Sequence, residues 1–131
     1  MIVKGRVIAG GYAKGPALVT MDPISFLGSV DPKTGIVIEK GHSLEGKSIS
    51  GRVLVFPRGK GSTVGSYVIL QLKKNGVAPL AIINLEAETI IAVGAIISKI
   101  PMLDMLEKDP YEIFKDGMVV EVDAVKGEVR F

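Results

Sequence analysis

Val53-Leu-Val-Phe-Pro-Arg-Gly-Lys-Gly-Ser-Thr-Val-Gly-Ser-Tyr67 is the stretch on which the reading of this chain turns. It opens inside an apolar, valine-rich segment, Gly51 to Phe56, of the kind that lies buried at the centre of a sheet. From Val64 to Asn75 the pattern becomes helical. Val64, Tyr67, Val68 and Leu72 share a face, Lys73 and Lys74 fill the last turn, Gly76 stops the helix, and Ser62 or Thr63 is the natural N-cap. Between strand and helix lies a loop with Arg58, Lys60 and two glycines. Free N–H groups and about half a positive charge gather at such a helix start, so anions bind there. Gly59, Gly61 and Gly65 allow close approach of a ligand, Arg58 and Lys60 add cationic donors, and Ser62, Thr63 and Ser66 add hydroxyls. This is a cradle for an anion by composition and placement. It is not a Walker loop, because a glycine separates the lysine from Ser62. A serine-capped turn with no ligand is the plainer reading, and the residues alone leave it open.

Working outward, Ile2 to Ala9 alternates as a strand, Gly10-Gly11 breaks it, and a strand resumes over Ala17 to Thr20 after Gly15-Pro16. Met21 to Lys33, with two Asp-Pro pairs, predicts a long surface loop, and Gly35 to Glu39 a strand. Downstream, Pro79 to Leu85 predicts a buried strand and Glu86 to Gly94 a short helix with carboxylates at its start. Ile96 to Leu103 then returns as a strand. Gly117 to Val125 and Glu128 to Phe131 flank Lys126-Gly127 as a hairpin. The fold class is therefore α/β: a β-rich first half, two βαβ-like units and a closing hairpin, in one domain over residues 1–131.

Composition narrows the chemistry. The 131 residues are 47% hydrophobic and 23% charged, with a mean hydropathy of +0.39, which speaks against disorder. A chain of this length can bury about two-thirds of its unfolded surface. No apolar run approaches the roughly 20 residues of a membrane span, and the charged N-terminus is unlike a signal peptide, so a cytoplasmic location is expected. There is no cysteine, which removes disulfides, thiolate nucleophiles and cysteine-ligated metal or iron–sulfur sites on this chain. The single histidine, His42, cannot form a two-histidine metal site. A net charge of +2 and few aromatic residues give no nucleic-acid signature.

Other polar residues have plainer readings. His42 lies in a polar loop, solvated or bonded to backbone. Glu86 and Glu88 complement a helix dipole rather than form an acid pair. Glu107, Lys108 and Asp109 form a solvated loop, and Met102 and Met105 fill the core.

Gly41 to Tyr67, with its Pro57-Arg-Gly-Lys-Gly-Ser-Thr63 centre, together with Ala78-Pro-Leu-Ala-Ile-Ile-Asn84 and Glu88-Thr-Ile-Ile-Ala-Val-Gly-Ala-Ile-Ile97, resembles the small, swivel subunit of the aconitase X family. The similarity covers essentially the whole chain. It implies a swivelling β/β/α domain with mixed sheets and a strand–Gly-rich loop–helix unit. It also implies an archaeal source and a heterodimer with a large subunit that carries an iron–sulfur cluster. The implied activity is that of a hydro-lyase removing water from (R)-5-phosphomevalonate to give trans-anhydromevalonate 5-phosphate, in a mevalonate route to isoprenoids. On this resemblance Ser62 is the proton acceptor. From the composition of the loop, Arg58, Lys60, Gly61, Thr63, Gly65 and Ser66 are then expected to surround the phosphorylated substrate, and the chain is expected to hold no metal and to be inactive by itself.

Three rivals bear on that expectation. Phosphohistidine carrier domains also swivel, but the corresponding stretch, Ser62-Thr-Val-Gly-Ser-Tyr67, has no histidine. Another dehydratase of the same family acts on cis-3-hydroxyproline, against which the two loop cations weigh only weakly. A non-catalytic binding or assembly module would carry the same fold without chemistry in the loop.

Overall fold

The computed structural model describes residues 1–131. Eight strands form one mixed sheet. In chain order they are β1 (Ile2–Lys4), β2 (Arg6–Ala9), β3 (Tyr12–Val19), β4 (Val53–Val55), β5 (Ala81–Ile83), β6 (Met102–Asp104), β7 (Val119–Asp123) and β8 (Glu128–Arg130). Two ten-residue helices, α2 (Gly65–Lys74) and α3 (Thr89–Ser98), cross over between the parallel strands, and two single turns, α1 (Phe26–Ser29) and α4 (Pro110–Ile113), complete the set. No helix is long and apolar enough to cross a membrane.

The spatial order is β1-β8-β7-β3-β4-β5-β6-β2. β3, β4, β5 and β6 run parallel, while β7, β8 and β1 add antiparallel strands on one side and β2 on the other. Because β1 and β2 are separated only by Gly5, the two ends of this order meet and the sheet curls back on itself. The alternation along β4 then sorts the core. Leu54 and Phe56 face outward to Leu18, Ile69, Leu72, Ile82 and Ile91 beneath the helices. Val53 and Val55 face inward to Ala17, Leu103, Val120, Val122 and Val129. β4 lies between β3 and β5 with all three residues buried, as its valine-rich run predicts.

Several boundaries differ from the sequence reading, each for a physical reason. β3 runs straight through Gly15-Pro16, because Pro16 sits where the strand changes partner from β7 to β4 and a missing N–H is tolerated there. Met21 to Lys33 is not a surface loop: Ile24, Phe26 and Val30 are buried, and the Phe26 ring lies 6.0 Å from that of Phe56. Their spacing, i, i+2 and i+6, fits period 2, but Gly28 interrupts it and the Asp22-Pro23 and Asp31-Pro32 pairs flank it, so it was too short a run to read as structure. Gly35 to Glu39 makes only isolated bridges, Val30 to Val37 and Ile36 to Ser48, since its backbone is tied into local turns. α3 continues to Ser98 where a strand was expected. Gly94 does not end it but marks its close approach to α2, where a Cβ would lie 2.5 Å from Ile69 Cδ1. The closing hairpin turns through the four residues 124–127, with Gly127 N–H donating to Asp123 O at 2.9 Å. Met102 is core, but Met105 is exposed, with a left-handed backbone (φ 52°).

The hairpin also carries an ionic cluster. The Arg130 guanidinium meets Glu121 at 2.5 Å, Glu128 at 2.7 Å and Asp123 at 2.9 Å. The neighbouring Tyr12 hydroxyl, then Arg130, hold the Glu121 carboxyl below the usual carboxylate range. The Lys126 and Val125 N–H groups, then Arg130, do the same for Asp123. A carboxyl whose pKa is lower folded than unfolded adds stability that is complete above the unfolded value, about 4, and is lost as pH falls through the folded one. The thermal midpoint is therefore expected to hold level from pH 7 to about 5 and to fall below about 4. Calorimetry on Arg130→Met should show a shallower acid limb; an unchanged limb would remove this cluster as its source.

Candidate functional site

The parallel strands β4, β5 and β6 end on one side of the sheet, where α/β folds place ligands. The loop from Pro57 to Val64 starts there. Phe56 N–H bonds Ile83 O at 3.1 Å and Leu85 N–H bonds Pro57 O at 3.1 Å, so β5 holds the loop's first residues. Buried Asn84 adds a side-chain bond, Nδ2 to Phe56 O at 3.0 Å. On the far side the loop runs beside Ile24: Ile24 N–H donates to Arg58 O (3.2 Å) and Lys60 N–H to Ile24 O (3.1 Å). Gly61 then takes φ 88° against the Ser25 side chain, where any Cβ would collide.

Ser62 does not cap the helix as expected. The N-cap of α2 is Val64, without a side-chain cap. Ser62 Oγ instead accepts the Val64 N–H at 3.1 Å, one residue earlier, and donates to nothing in the chain. The N–H groups of Gly61, Ser62, Thr63 and Ser66 find no acceptor. Gly65 and Ser66 are buried, and the Ser66 hydroxyl is used internally on Thr63 O at 3.1 Å. Arg58, Lys60, Gly61 and Thr63 are exposed and Ser62 half-exposed. The sequence-predicted residues thus cluster on one loop, with free N–H donors, an unshared serine hydroxyl and two cations around the start of α2.

The cations are not equivalent. Arg58 makes no side-chain hydrogen bond, while Lys60 lies 3.5 Å from Glu39. Asp22 is nearby: the Ser43 N–H (2.9 Å) and hydroxyl, then Lys60, hold its carboxyl below the usual range. His42 is backbone-bonded as read. Its Nδ1 accepts the Leu44 N–H at 3.0 Å, which leaves Nε2 to donate to Pro23 O at 3.1 Å. Glu88 caps α3, accepting from Ile90 and Ile91 N–H, in agreement with the dipole reading. Asp109 is more than solvated, since it caps α4 through the Tyr111 N–H at 2.9 Å.

An open groove of about 550 Å³ continues from Pro57 along Leu85, Met105, Leu106 and Tyr111. Tyr111 donates to Thr20 O at 2.8 Å, and burial pushes its hydroxyl up to about 12. A second groove, of about 560 Å³ beside Tyr12, Lys73 and Lys99, lies at the opposite ends of the parallel strands, away from the loop. Sequence reasoning missed Ser29, Glu39, Asn84 and Asp104. Only Asp104 carried a signal, as a lone carboxylate closing the apolar strand Met102-Leu-Asp104.

With this geometry established, the aconitase X swivel domain model matches residues 2–131. The chain belongs to the aconitase X swivel domain family. It is similar to the phosphomevalonate dehydratase small subunit of Methanosarcina acetivorans, with 69% identity over 98% of this chain and 89% of that protein. The protein of the same name from Thermococcus kodakarensis is 59% identical over 99% of this chain and 96% of its own length. The crystal structure of Thermococcus kodakaraensis aconitase X in its holo form superposes with a TM-score of 0.93 at 58% identity, covering 99% of this chain and 97% of that one. A further relative solved by solution NMR gives a TM-score of 0.90 at 52% identity over 100% of this chain and 98% of its own. The swivel-domain fold expected from the resemblance is therefore the fold of this chain.

Proposed function

We propose that this chain is the small subunit of a phosphomevalonate dehydratase, acting in the cytoplasm with a larger subunit on (R)-5-phosphomevalonate. The observation that carries the proposal is near-full-length identity of 69% to a protein of that name, on a fold with a loop of unshared donors at a helix start. Ser62 is the base. As the alkoxide it takes the proton from the carbon beside the substrate carboxylate, and the C–H electron pair forms a double bond to the neighbouring carbon. The C–O bond there breaks with the hydroxyl leaving as hydroxide, which a proton delivered from the larger subunit or solvent converts to water. Arg58 and Lys60 hold the anionic ends of the substrate, aided by the N–H groups of Gly61, Thr63 and Ser66, with Gly65 keeping the helix start free of side chain.

A serine needs help to act as a base. Each unit by which its pKa falls takes about 1.4 kcal/mol. A helix N-terminus offers an anion about 0.3–2 kcal/mol. The Val64 N–H on Oγ favours the alkoxide further. Desolvation of Arg58 and Lys60 as a partner closes strengthens their pull on the oxygen. The chain alone is therefore proposed to be inactive.

The iron–sulfur cluster implied by the family does not fit this chain. It has no cysteine, and no group of three or more of its histidine, aspartate and glutamate side chains is placed to hold a metal ion. In this proposal the cluster and its ligands belong to the larger subunit.

The test is an anaerobic purification of the tagged chain from its native cells, followed by assays of water loss from (R)-5-phosphomevalonate and from cis-3-hydroxyproline. A brown complex with one larger partner that turns over the phosphorylated substrate is expected. Turnover of hydroxyproline alone, or a colourless chain recovered by itself, would overturn the proposal.

A further inference from the structure

The loop has a second wall, built from residues 21–40, and Glu39 on that wall reaches Lys60. Glu39 Oε2 lies 3.5 Å from Lys60 Nζ, while Glu39 Oε1 accepts a short hydrogen bond from the Ser29 hydroxyl. Ser29 is only 3% exposed. Its backbone is fixed on both sides: its N–H donates to Ser25 O at 3.1 Å and its carbonyl accepts the Ile38 N–H at 2.8 Å. The same wall lies along Arg58 and Lys60 through Ile24. The carboxylate is thus anchored to the element that shapes the loop.

The Lys60 and Glu39 side chains are 48% and 31% exposed, and a pair this wet contributes little to folding. Its effect falls on geometry instead. A lysine ammonium has three donors on a flexible stem. One goes to Glu39, which limits the stem's rotamers and leaves two donors for a ligand. An ammonium ordered in advance avoids losing that freedom when substrate binds. The Ser29 hydrogen bond, then Lys60, hold the Glu39 carboxyl below the usual carboxylate range, so it is charged at neutral pH.

We infer that Glu39, held by Ser29, is a positioning residue that aims the Lys60 ammonium at the anionic group of the substrate. This rests on the proposed function, in which Lys60 binds that group. In the assembled two-subunit enzyme, Glu39→Gln is expected to raise KM for (R)-5-phosphomevalonate about fivefold with kcat nearly unchanged. Ser29→Ala should give a smaller rise in the same direction. Lys60→Met should raise KM about tenfold or more. In the Lys60→Met background, Glu39→Gln should then change nothing further, since its effect runs through the ammonium.

An equal Glu39→Gln effect in both backgrounds would mark a merely structural role and overturn the inference. So would a fall in KM, which would show Glu39 competing with substrate. If Lys60→Met raises KM while Glu39→Gln and Ser29→Ala do not, the inference fails and the substrate role of Lys60 survives. If Lys60→Met leaves KM unchanged, both fail together.

Discussion

Ser62→Ala in the assembled enzyme is expected to lower kcat by about 10²–10⁴-fold, the range of a lost general base, while assembly and KM change little. Among the loop hydroxyls only that of Ser62 accepts a backbone N–H, whereas that of Thr63 makes no hydrogen bond in the chain. The Ser66 hydroxyl is spent on Thr63 O, whereas Ser62 Oγ receives a backbone N–H and gives its own proton to nothing in the chain. Removal of Oγ leaves the Val64 N–H at an exposed position where water replaces it, so the fold is spared. Single-turnover kinetics separates the cases. A loss confined to the chemical step supports the base, and near-normal turnover would sink it. An equal loss through failed assembly would assign Ser62 to the interface instead.

The largest effect on stability is expected at Asp104. This fully buried carboxylate closes β6 and accepts the Arg6 Nε at 2.8 Å, the Arg6 Nη2 at 2.7 Å and the Ala87 N–H at 2.7 Å. It joins the edge strand β2, the end of β6 and the turn leading into α3. The Arg6 side chain is 57% exposed and recovers water when its partner is lost. The Ala87 N–H is less exposed, and the truncation leaves a cavity. Asp104→Ala is expected to cost about 2–4 kcal/mol, lowering the thermal midpoint of the isolated chain by about 10 °C. Asp104→Asn keeps the shape and should cost less. A midpoint within about 2 °C of the parent for Asp104→Ala would show that the pair contributes no net stability, an outcome known for buried ion pairs in other contexts.

How much of this was legible beforehand depended on whether a residue announced itself locally. The run Val53 to Val55 read as a central strand, and the helix after it carried its terminal lysines and its glycine stop in one short window. Its face was read only in part: Val68 and Leu72 are buried together with Ile69, while Val64 and Tyr67 are exposed. The cradle was legible for the same reason: cations, glycines and hydroxyls adjoin within Arg58 to Ser66. Glu88 and His42 also behaved as read, because capping and backbone bonding are made over two or three residues. Ser62 or Thr63 as the N-cap was wrong by two residues or one, since Val64 caps the helix and Gly65 begins it once Ser62 Oγ has turned the chain.

Where the reading failed, the deciding contact was distant in the chain. Gly94 looked like a helix stop, and only the packing of α3 on α2 shows that it lets them approach. Ile24, Phe26 and Val30 looked like loop residues until Phe56 was placed beside them.

The sequence by itself determined the parallel βαβ centre, the position of the candidate loop and the absence of thiol ligands, because each follows from residue type and short-range spacing. Tertiary structure alone decided that the sheet curls so that β1 and β2 meet at Gly5, and that β3 serves both its antiparallel and its parallel halves. It also decided that residues 21–40 form the wall on which Glu39 holds Lys60. Apart from the Ser29–Glu39 bond, those features rest on hydrogen bonds and contacts between residues roughly 20 to 130 positions apart. Local propensity and periodicity carry no information over such separations.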